Sequence, residues 1–198
     1  MMNRLVLVVG LALLSGCATV KSSRVRADYE TVDKTQVKRL AVVTQPLPDG
    51  KQAVGDMWSA ITRQYANQKR DYIAKSSVAL AGNPEDPTFK SLCVEGIEGV
   101  LWLSPDVTLK GKGVETAVKA QLLRCRDGQE VWFAEAAGSW SSEDDLYKER
   151  SADYAQQFGP EVAPYVAPSI RLLWATLNTL PNPQLNEADV DEKIDLGE

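Results

Sequence analysis

The chain has 198 residues and a formal net charge of −5, with 22 Lys and Arg against 27 Asp and Glu. A mildly acidic chain is a poor partner for a polyanion, so we expect no nucleic-acid ligand. Histidine is absent, which excludes Ser-His-Asp catalysis, Cys-His catalysis and every metal site that needs an imidazole ligand.

The amino end has the layout of an export signal. A short basic region that contains Arg4 is followed by the apolar run Leu5–Leu14. A run of this length suits the core of a signal peptide, whereas a membrane-spanning helix needs about 20 apolar residues. We therefore predict that residues 1–16 are a signal peptide that is absent from the mature protein.

The segment Leu14-Ser15-Gly16-Cys17 resembles the lipobox of bacterial lipoproteins. The resemblance implies cleavage between Gly16 and Cys17, with a diacylglyceryl group on the Cys17 sulphur. Each buried CH₂ contributes about 0.8 kcal/mol, so two or three acyl chains form a stable anchor. The alternative is an ordinary secretory signal with a chance cysteine. Because Ala18 stands where an inner-membrane retention signal has Asp, the resemblance places the anchor in the outer membrane, on its periplasmic face, rather than in the inner membrane.

The first half of the chain predicts a strand, a helix and a second strand. Residues 17–35 form the lipidated cysteine and a polar, flexible tether. A buried strand follows at Lys38–Val43, then a helix over Lys51–Tyr72 and a strand over Tyr72–Leu80. One face of the helix is apolar, and its Trp58 is more readily explained as a core residue than as a ligand-binding one; the face comprises Val54, Met57, Trp58, Ile61, Tyr65 and Tyr72.

Two cysteines remain once Cys17 is assigned to lipid. Cys93 lies in a short predicted helix over Thr88–Val94, and Cys125 lies in a predicted strand. Two cysteines in an exported domain favour a disulfide, which would stabilise the fold by roughly 3–4 kcal/mol through its loop of about 33 residues. The alternative is a pair of buried free thiols. No metal site is expected from these cysteines.

The middle of the chain predicts a three-strand meander. Its strands are Gly99–Leu109, bent or bulged near Pro105, then Val114–Arg126 and Glu130–Ser139. Gly111-Lys112-Gly113 favours a hairpin turn over a phosphate-binding loop. Asp127-Gly128 is typical of a two-residue type I′ turn, which needs positive φ at both positions.

The carboxyl end predicts helices and then a tail. Ser141–Gln157 is helical in part, with a start at Ser141 or Ser142, and Val162–Leu180 is a long helix with Pro168 in its first turn or at a kink. Gln184–Glu198 is acidic and is predicted to be disordered. We weighed the acidic runs Glu143-Asp144-Asp145 and Asp189-Val190-Asp191 as cation sites and favour solvated segments, because neither has the oxygen set and glycine turn of a calcium loop.

These elements predict an α+β fold, an α/β sandwich with the order β-α-β-(short α)-β-β-β-α. A mixed sheet contains the three-strand meander, and the helices pack on it. We predict a single periplasmic domain over residues 36–183, with an acidic disordered tail over residues 184–198.

The element order behind a lipobox resembles a periplasmic lipoprotein domain shared by the amino-terminal domain of TolB, the curli secretion lipoprotein and the LpoB-type activators of penicillin-binding proteins. Lys38–Val43, the helix Lys51–Tyr72 and the strand-turn-strand pattern of Ala120–Trp132 account for this resemblance. With Phe158–Tyr165 and Thr179–Pro181, the chain also resembles an uncharacterised family of outer-membrane lipoproteins from proteobacteria and spirochaetes. Neither resemblance supplies a catalytic residue, and both imply partner binding.

The preferred hypothesis is therefore a non-enzymatic, membrane-anchored module that binds envelope proteins or cell-wall machinery through a sheet edge or the meander, with no cofactor. One alternative is a hydrolase that works without His on envelope carbohydrate or peptide, which requires two carboxylates about 5–10 Å apart in a pocket. The other is a purely structural envelope lipoprotein.

Overall fold

The computed structural model describes residues 19–47, 51–84 and 87–196. The predicted signal peptide, the cleavage site after Gly16 and the lipidation site at Cys17 lie outside the described residues. Across the described ranges, no helix combines the length and the apolar composition that crossing a bilayer requires.

A six-stranded mixed sheet is the centre of the fold. Its strands are β1 (Thr19–Val25), β2 (Arg39–Thr44), β3 (Ile73–Ala79), β4 (Gly99–Lys110), β5 (Gly113–Arg124) and β6 (Glu130–Ser141). They lie in the order β1-β6-β5-β4-β2-β3, with β2 parallel to both of its neighbours and all other pairs antiparallel. The predicted α+β class, with its mixed sheet and three-strand meander, is confirmed.

Five α-helices accompany the sheet in the described residues: α1 (Gln52–Lys69), α2 (Pro87–Leu92), α3 (Lys148–Phe158), α4 (Ala163–Leu177) and α5 (Glu187–Asp195). On one face, α1 packs on β2 and β3 while α4 packs on β5 and β6, and α3 lies against both helices. The first helix ends three residues earlier than predicted, because Arg70 already has an extended backbone. Helix α4 contains Pro168 in its interior rather than in its first turn.

The main core lies between the sheet and α1 and α4. The predicted apolar face of α1 is buried here, including Met57, Trp58 and Ile61. Trp58 is fully buried, and its indole Nε1 donates to Ser169 Oγ on α4 at 2.7 Å. Trp58 is therefore a core residue that links the two helices, as the helical spacing indicated.

A smaller core lies on the opposite face, at one end of the sheet. Phe89 of α2 packs there with Val43, Val100, Trp102 and Leu123. Helix α2 therefore lies over the parallel part of the sheet, where β2 pairs with the first five residues of β4. The rest of β4, which includes Pro105, extends beyond β2 and pairs with β5 alone.

Two local predictions were wrong in detail. The β4–β5 register is continuous through Pro105, so no bulge occurs there. Proline is tolerated because β2 has already ended beside Leu103, and the missing N–H removes no bond to that neighbour. The Asp127-Gly128 turn is part of a longer loop between Arg124 and Glu130, in which Gly128 has φ +71° and its N–H donates to the Arg124 carbonyl.

The first described residues of the predicted tether, Thr19–Val25, instead form a strand. β1 pairs antiparallel with β6, from Thr19 opposite Ala137 to Val25 opposite Trp132. Its polar sequence suits an edge strand, which exposes side chains on its open face while its backbone satisfies the groups of β6. The next residues are also ordered, with Tyr29 and Val37 buried in the main core. Composition indicated a solvated segment but could not show the strand that pairs with it.

The acidic tail is likewise structured over most of its length. Helix α5 begins with a capping box in which the Asn186 side chain accepts from the Asp189 N–H and the Asp189 carboxylate accepts from the Asn186 N–H. The Asp189 side chain is buried against β2. The acidic composition of this segment predicted disorder. Composition does not reveal that basic residues elsewhere in the chain lie beside the helix and neutralise it.

Candidate interaction surface

Beyond the small core, the same face of β1, β4, β5 and β6 is exposed to solvent, and we call this part the open face. Alternation along the strands places Asp106, Thr108, Glu115, Lys119 and Ser139 on it, and all five are exposed. The intervening residues of the same strands point into the main core. The alternation of the sequence therefore determines which side chains of the open face meet solvent.

A groove of about 620 Å³ crosses the open face near the β4–β5 turn. Small residues, Ala117 and Ala137, form its floor at paired positions of β5 and β6. Longer polar side chains stand around them and make the depression; they are Lys21, Asp106, Thr108, Glu115 and Ser139. The groove is shallow, which suits contact with a macromolecular surface better than enclosure of a small molecule.

Strand β6, which lies at one side of the groove, requires glycine at position 138. Gly138 lies on the core side of β6, and the Trp140 ring packs over it. A Cβ on Gly138 would lie only 2.1 Å from the nearest ring atom. The Trp140 side chain therefore lies flat across β6 and joins the main core, where it supports the strand beneath the groove.

Charges of both signs continue along the open face. Lys119 and Glu135 occupy paired positions on β5 and β6. Arg24 of β1 lies over the Phe133 ring, with its guanidinium carbon 4.1 Å from the ring centroid, and contacts Glu130 at 2.9 Å. These exposed contacts add little stability, so this surface can exchange them for contacts with a partner at low cost.

Two ion clusters, each with one buried carboxylate, lie at the end of the sheet away from the groove. In one, Arg124 contacts Asp33 and Asp127, each at 2.6 Å. The Arg124 side chain is almost wholly buried and Asp33 is fully buried. The hydrogen bond from Arg124 lowers the pKa of Asp127 to about 2. A carboxyl group that stays charged in this way serves as a structural ion partner, not as a general acid.

The second cluster attaches α5 to β2. Asp189 accepts from Lys38 Nζ at 2.6 Å and from Arg39 Nη2 at 2.8 Å, and Glu192 contacts Arg39 at 2.6 Å and Lys75 at 2.5 Å. Burial alone would raise the pKa of Asp189, but the Asn186 N–H and the two basic side chains lower it to about 2. This cluster is also structural.

The sequence contained one signal for these clusters. Leu122 faces the main core and Leu123 faces the small core, so alternation places Arg124 on the core side of β5. A charged residue at a core-facing position must have a buried partner, because an unpaired buried charge is very costly. Sequence alone did not identify Asp33 as that partner.

The predicted disulfide is confirmed. Cys93 and Cys125 are bonded, with their Cα atoms 5.4 Å apart. The bond joins the segment after α2 to the loop between β5 and β6 and closes the small core at its edge. It lies in the half of the sheet remote from the groove, so its role is structural.

The residues that we weighed as cation ligands or phosphate binders have structural roles. Asp144 accepts from the Leu146 N–H and contacts Arg171 at 2.6 Å, which starts the 3-10 turn Asp145–Tyr147. The helix start is therefore at Asp144 rather than at Ser141 or Ser142. Gly111 and Lys112 form the two-residue β4–β5 turn, with Gly111 at φ +61°.

Comparison with known proteins gives no sequence relative. No protein-family model matches the chain, and no curated protein matches it. Among solved structures, a PelC dodecamer from Paraburkholderia phytofirmans is 14% identical at a TM-score of 0.49, covering 85% of this chain and 98% of that chain. Lipoprotein GNA1162 from Neisseria meningitidis is 16% identical at a TM-score of 0.35, covering 62% and 99%. A minor lipoprotein from Acinetobacter baumannii is 12% identical at a TM-score of 0.20, covering 66% and 91%.

Proposed function

We propose that this chain is a lipid-anchored lipoprotein of the cell envelope, without enzymatic activity, that binds another envelope protein through the groove of its open face. The observation that carries the proposal is the position of β1. This strand begins two residues after the lipobox cysteine, and its Lys21 lines the groove. Lipid on Cys17 would therefore hold the groove at the membrane that contains its partner.

The composition of the groove supports a protein partner. Lys21 lies on one side, and Asp106 and Glu115 lie on the others, around a floor of small residues. A shallow depression with charges of both signs selects a complementary surface by position and sign. The adjoining free edges of β1 and of the outer half of β4 offer backbone groups that a partner strand can also use.

The hydrolase alternative has less support. A glycosidase needs one carboxyl group that remains protonated near neutral pH and so has a raised pKa. Here the pKa values of Asp127 and Asp189 are lowered, and both groups hold structural elements together away from the groove. In the groove, Glu115 contacts Lys110 at 2.7 Å, and we propose that Asp106 and Glu115 act in recognition. Because Ala18 rather than Asp follows Cys17, we further propose that the anchor lies in the outer membrane.

The test is position-specific photocrosslinking in intact cells. A benzophenone amino acid replaces Thr108 in the groove or, as the control, Gln68 on the exposed side of α1. We expect a discrete crosslinked protein from position 108 and none of the same size from position 68. Ala137→Leu, which fills the groove floor, should remove the product. The proposal is wrong if both positions give the same products, or if position 108 gives none.

A further inference from the structure

The register of β1 determines how an anchored domain meets its membrane. Thr19 pairs with Ala137 of β6, which pairs with Ala117 of β5, which pairs with Asp106 of β4. Because β1 is antiparallel to β6, the chain that precedes Thr19 enters from the end of the sheet where β6 finishes. The β4–β5 turn lies at that same end.

The β4–β5 hairpin extends beyond this point. Past the level of Thr19, β4 runs four more residues from Asp106 to Lys110, which is about 13 Å along the strand. Cys17 lies only two residues before Thr19, and two residues span at most about 7 Å. The turn therefore reaches beyond the farthest point to which Cys17 can extend along the sheet.

The residues at this end have the chemistry of a membrane interface. At the end of β4, Leu109 is 45% exposed, and Lys110 and Lys112 flank Gly111 of the turn. The neighbouring turn adds Leu146, which is 83% exposed. Its segment is attached to the hairpin, because the N–H and hydroxyl of Ser142 donate to the Lys112 carbonyl at 2.9 and 3.0 Å. Exposed leucines beside lysines, whose stems are apolar and whose heads are charged, suit the boundary between acyl chains and headgroups.

We propose that the tip of the β4–β5 hairpin, Leu109–Lys112 together with Leu146, inserts into the phospholipid headgroup region of the membrane that holds the anchor. This inference rests on the proposed lipidation of Cys17. The contact fixes the orientation of the domain, with the groove beside the membrane surface. The disulfide and both ion clusters then lie at the end that faces away from the membrane.

In the test, the mature chain, residues 17–198, is attached to vesicles by chemical coupling of Cys17 to a maleimide phospholipid. Cys93 and Cys125 do not compete because they are joined in the disulfide. One variant has azidophenylalanine at position 112, and the matched control has it at position 126, in place of the exposed Arg126 of the opposite loop. A fluorophore is attached to the azide by click chemistry. Lipids with a shallow spin label quench a fluorophore at the depth of the interface.

We expect at least about a twofold loss of fluorescence at position 112 and little change at position 126, since interfacial groups lie about 5–10 Å into the headgroup boundary. Leu109→Glu should reduce the loss at position 112. Equal quenching at the two positions, or none at position 112, would overturn the proposed orientation. Chemical coupling keeps this result separate from lipidation itself, which is measured by acyl labelling of Cys17 in cells.

Discussion

Asp189 is the most buried carboxylate among the contacts that attach helix α5 to the domain, and its side chain is only 2% exposed. Its Oδ2 accepts from Lys38 Nζ and from the Asn186 N–H, while its Oδ1 accepts from Arg39. Asp189→Asn keeps the size of the side chain but removes its charge. The change removes the counter-ion of Lys38 and one of the carboxylates that contact Arg39, which keeps its contact with Glu192.

The loss should be several kcal/mol at neutral pH. Removing one partner of a buried ion pair typically costs 3–5 kcal/mol. Independently, the pKa of Asp189 is lowered from 3.8 to about 2, which corresponds to roughly 2 kcal/mol. We therefore expect Asp189→Asn to lower the free energy of unfolding by about 3 kcal/mol at pH 7.

The loss should also depend on pH in a defined direction. The folded-state pKa of Asp189 is below its unfolded value, so its contribution is complete above about pH 4 and disappears as the pH falls towards 2. The difference between the wild-type and Asp189→Asn proteins should shrink over that range. Urea unfolding followed by tryptophan fluorescence at pH 7 and at acid pH measures it.

Asp191→Asn is the matched control, because Asp191 is exposed on the same helix. It should change the free energy of unfolding by no more than about 0.5 kcal/mol. The reasoning is refuted if Asp189→Asn behaves like this control at pH 7, or if its effect persists unchanged at acid pH.

Three further predictions concern other parts of the chain. Replacing both Cys93 and Cys125 by Ser should lower the free energy of unfolding by roughly 3–4 kcal/mol, measured by urea unfolding, and the wild-type protein should show the same loss on reduction. Arg124→Met leaves Asp33 buried without its counter-ion, so the unfolding midpoint should fall by the equivalent of about 3–5 kcal/mol; a loss below 1 kcal/mol would contradict the buried pairing. Cys17→Ser should give unprocessed precursor without an acyl label, and normal processing with labelling would contradict the lipobox interpretation.

The sequence predicted best where the stabilising pattern is local. The apolar face of α1 repeats at helical spacing, and the strands of the meander alternate, so both were found close to their observed positions. Cys93 and Cys125 were paired by elimination, because Cys17 was already assigned to lipid. These features depend on periodicity or on a count of residues, both of which one sequence provides.

The sequence predicted least where the stabilising partner is distant. Residues Thr19–Val25 are polar and become a strand only because β6 offers an unpaired edge. Helix α5 is acidic and becomes ordered only because Lys38, Arg39 and Lys75 lie at one end of the sheet. The groove depends on the same kind of distant pairing, because β1 supplies Lys21 to one of its sides.

The pairing of β1 with β6 also has a consequence for the order of folding. The two strands are more than one hundred positions apart in the chain, so the edge strand is synthesised first and paired late. Contacts between such distant residues form slowly, because the loop between them must close first. While the chain folds, β6 therefore presents an unpaired edge until the amino-terminal segment docks. In a chain attached by Cys17, tension on that segment would open this edge before any other strand.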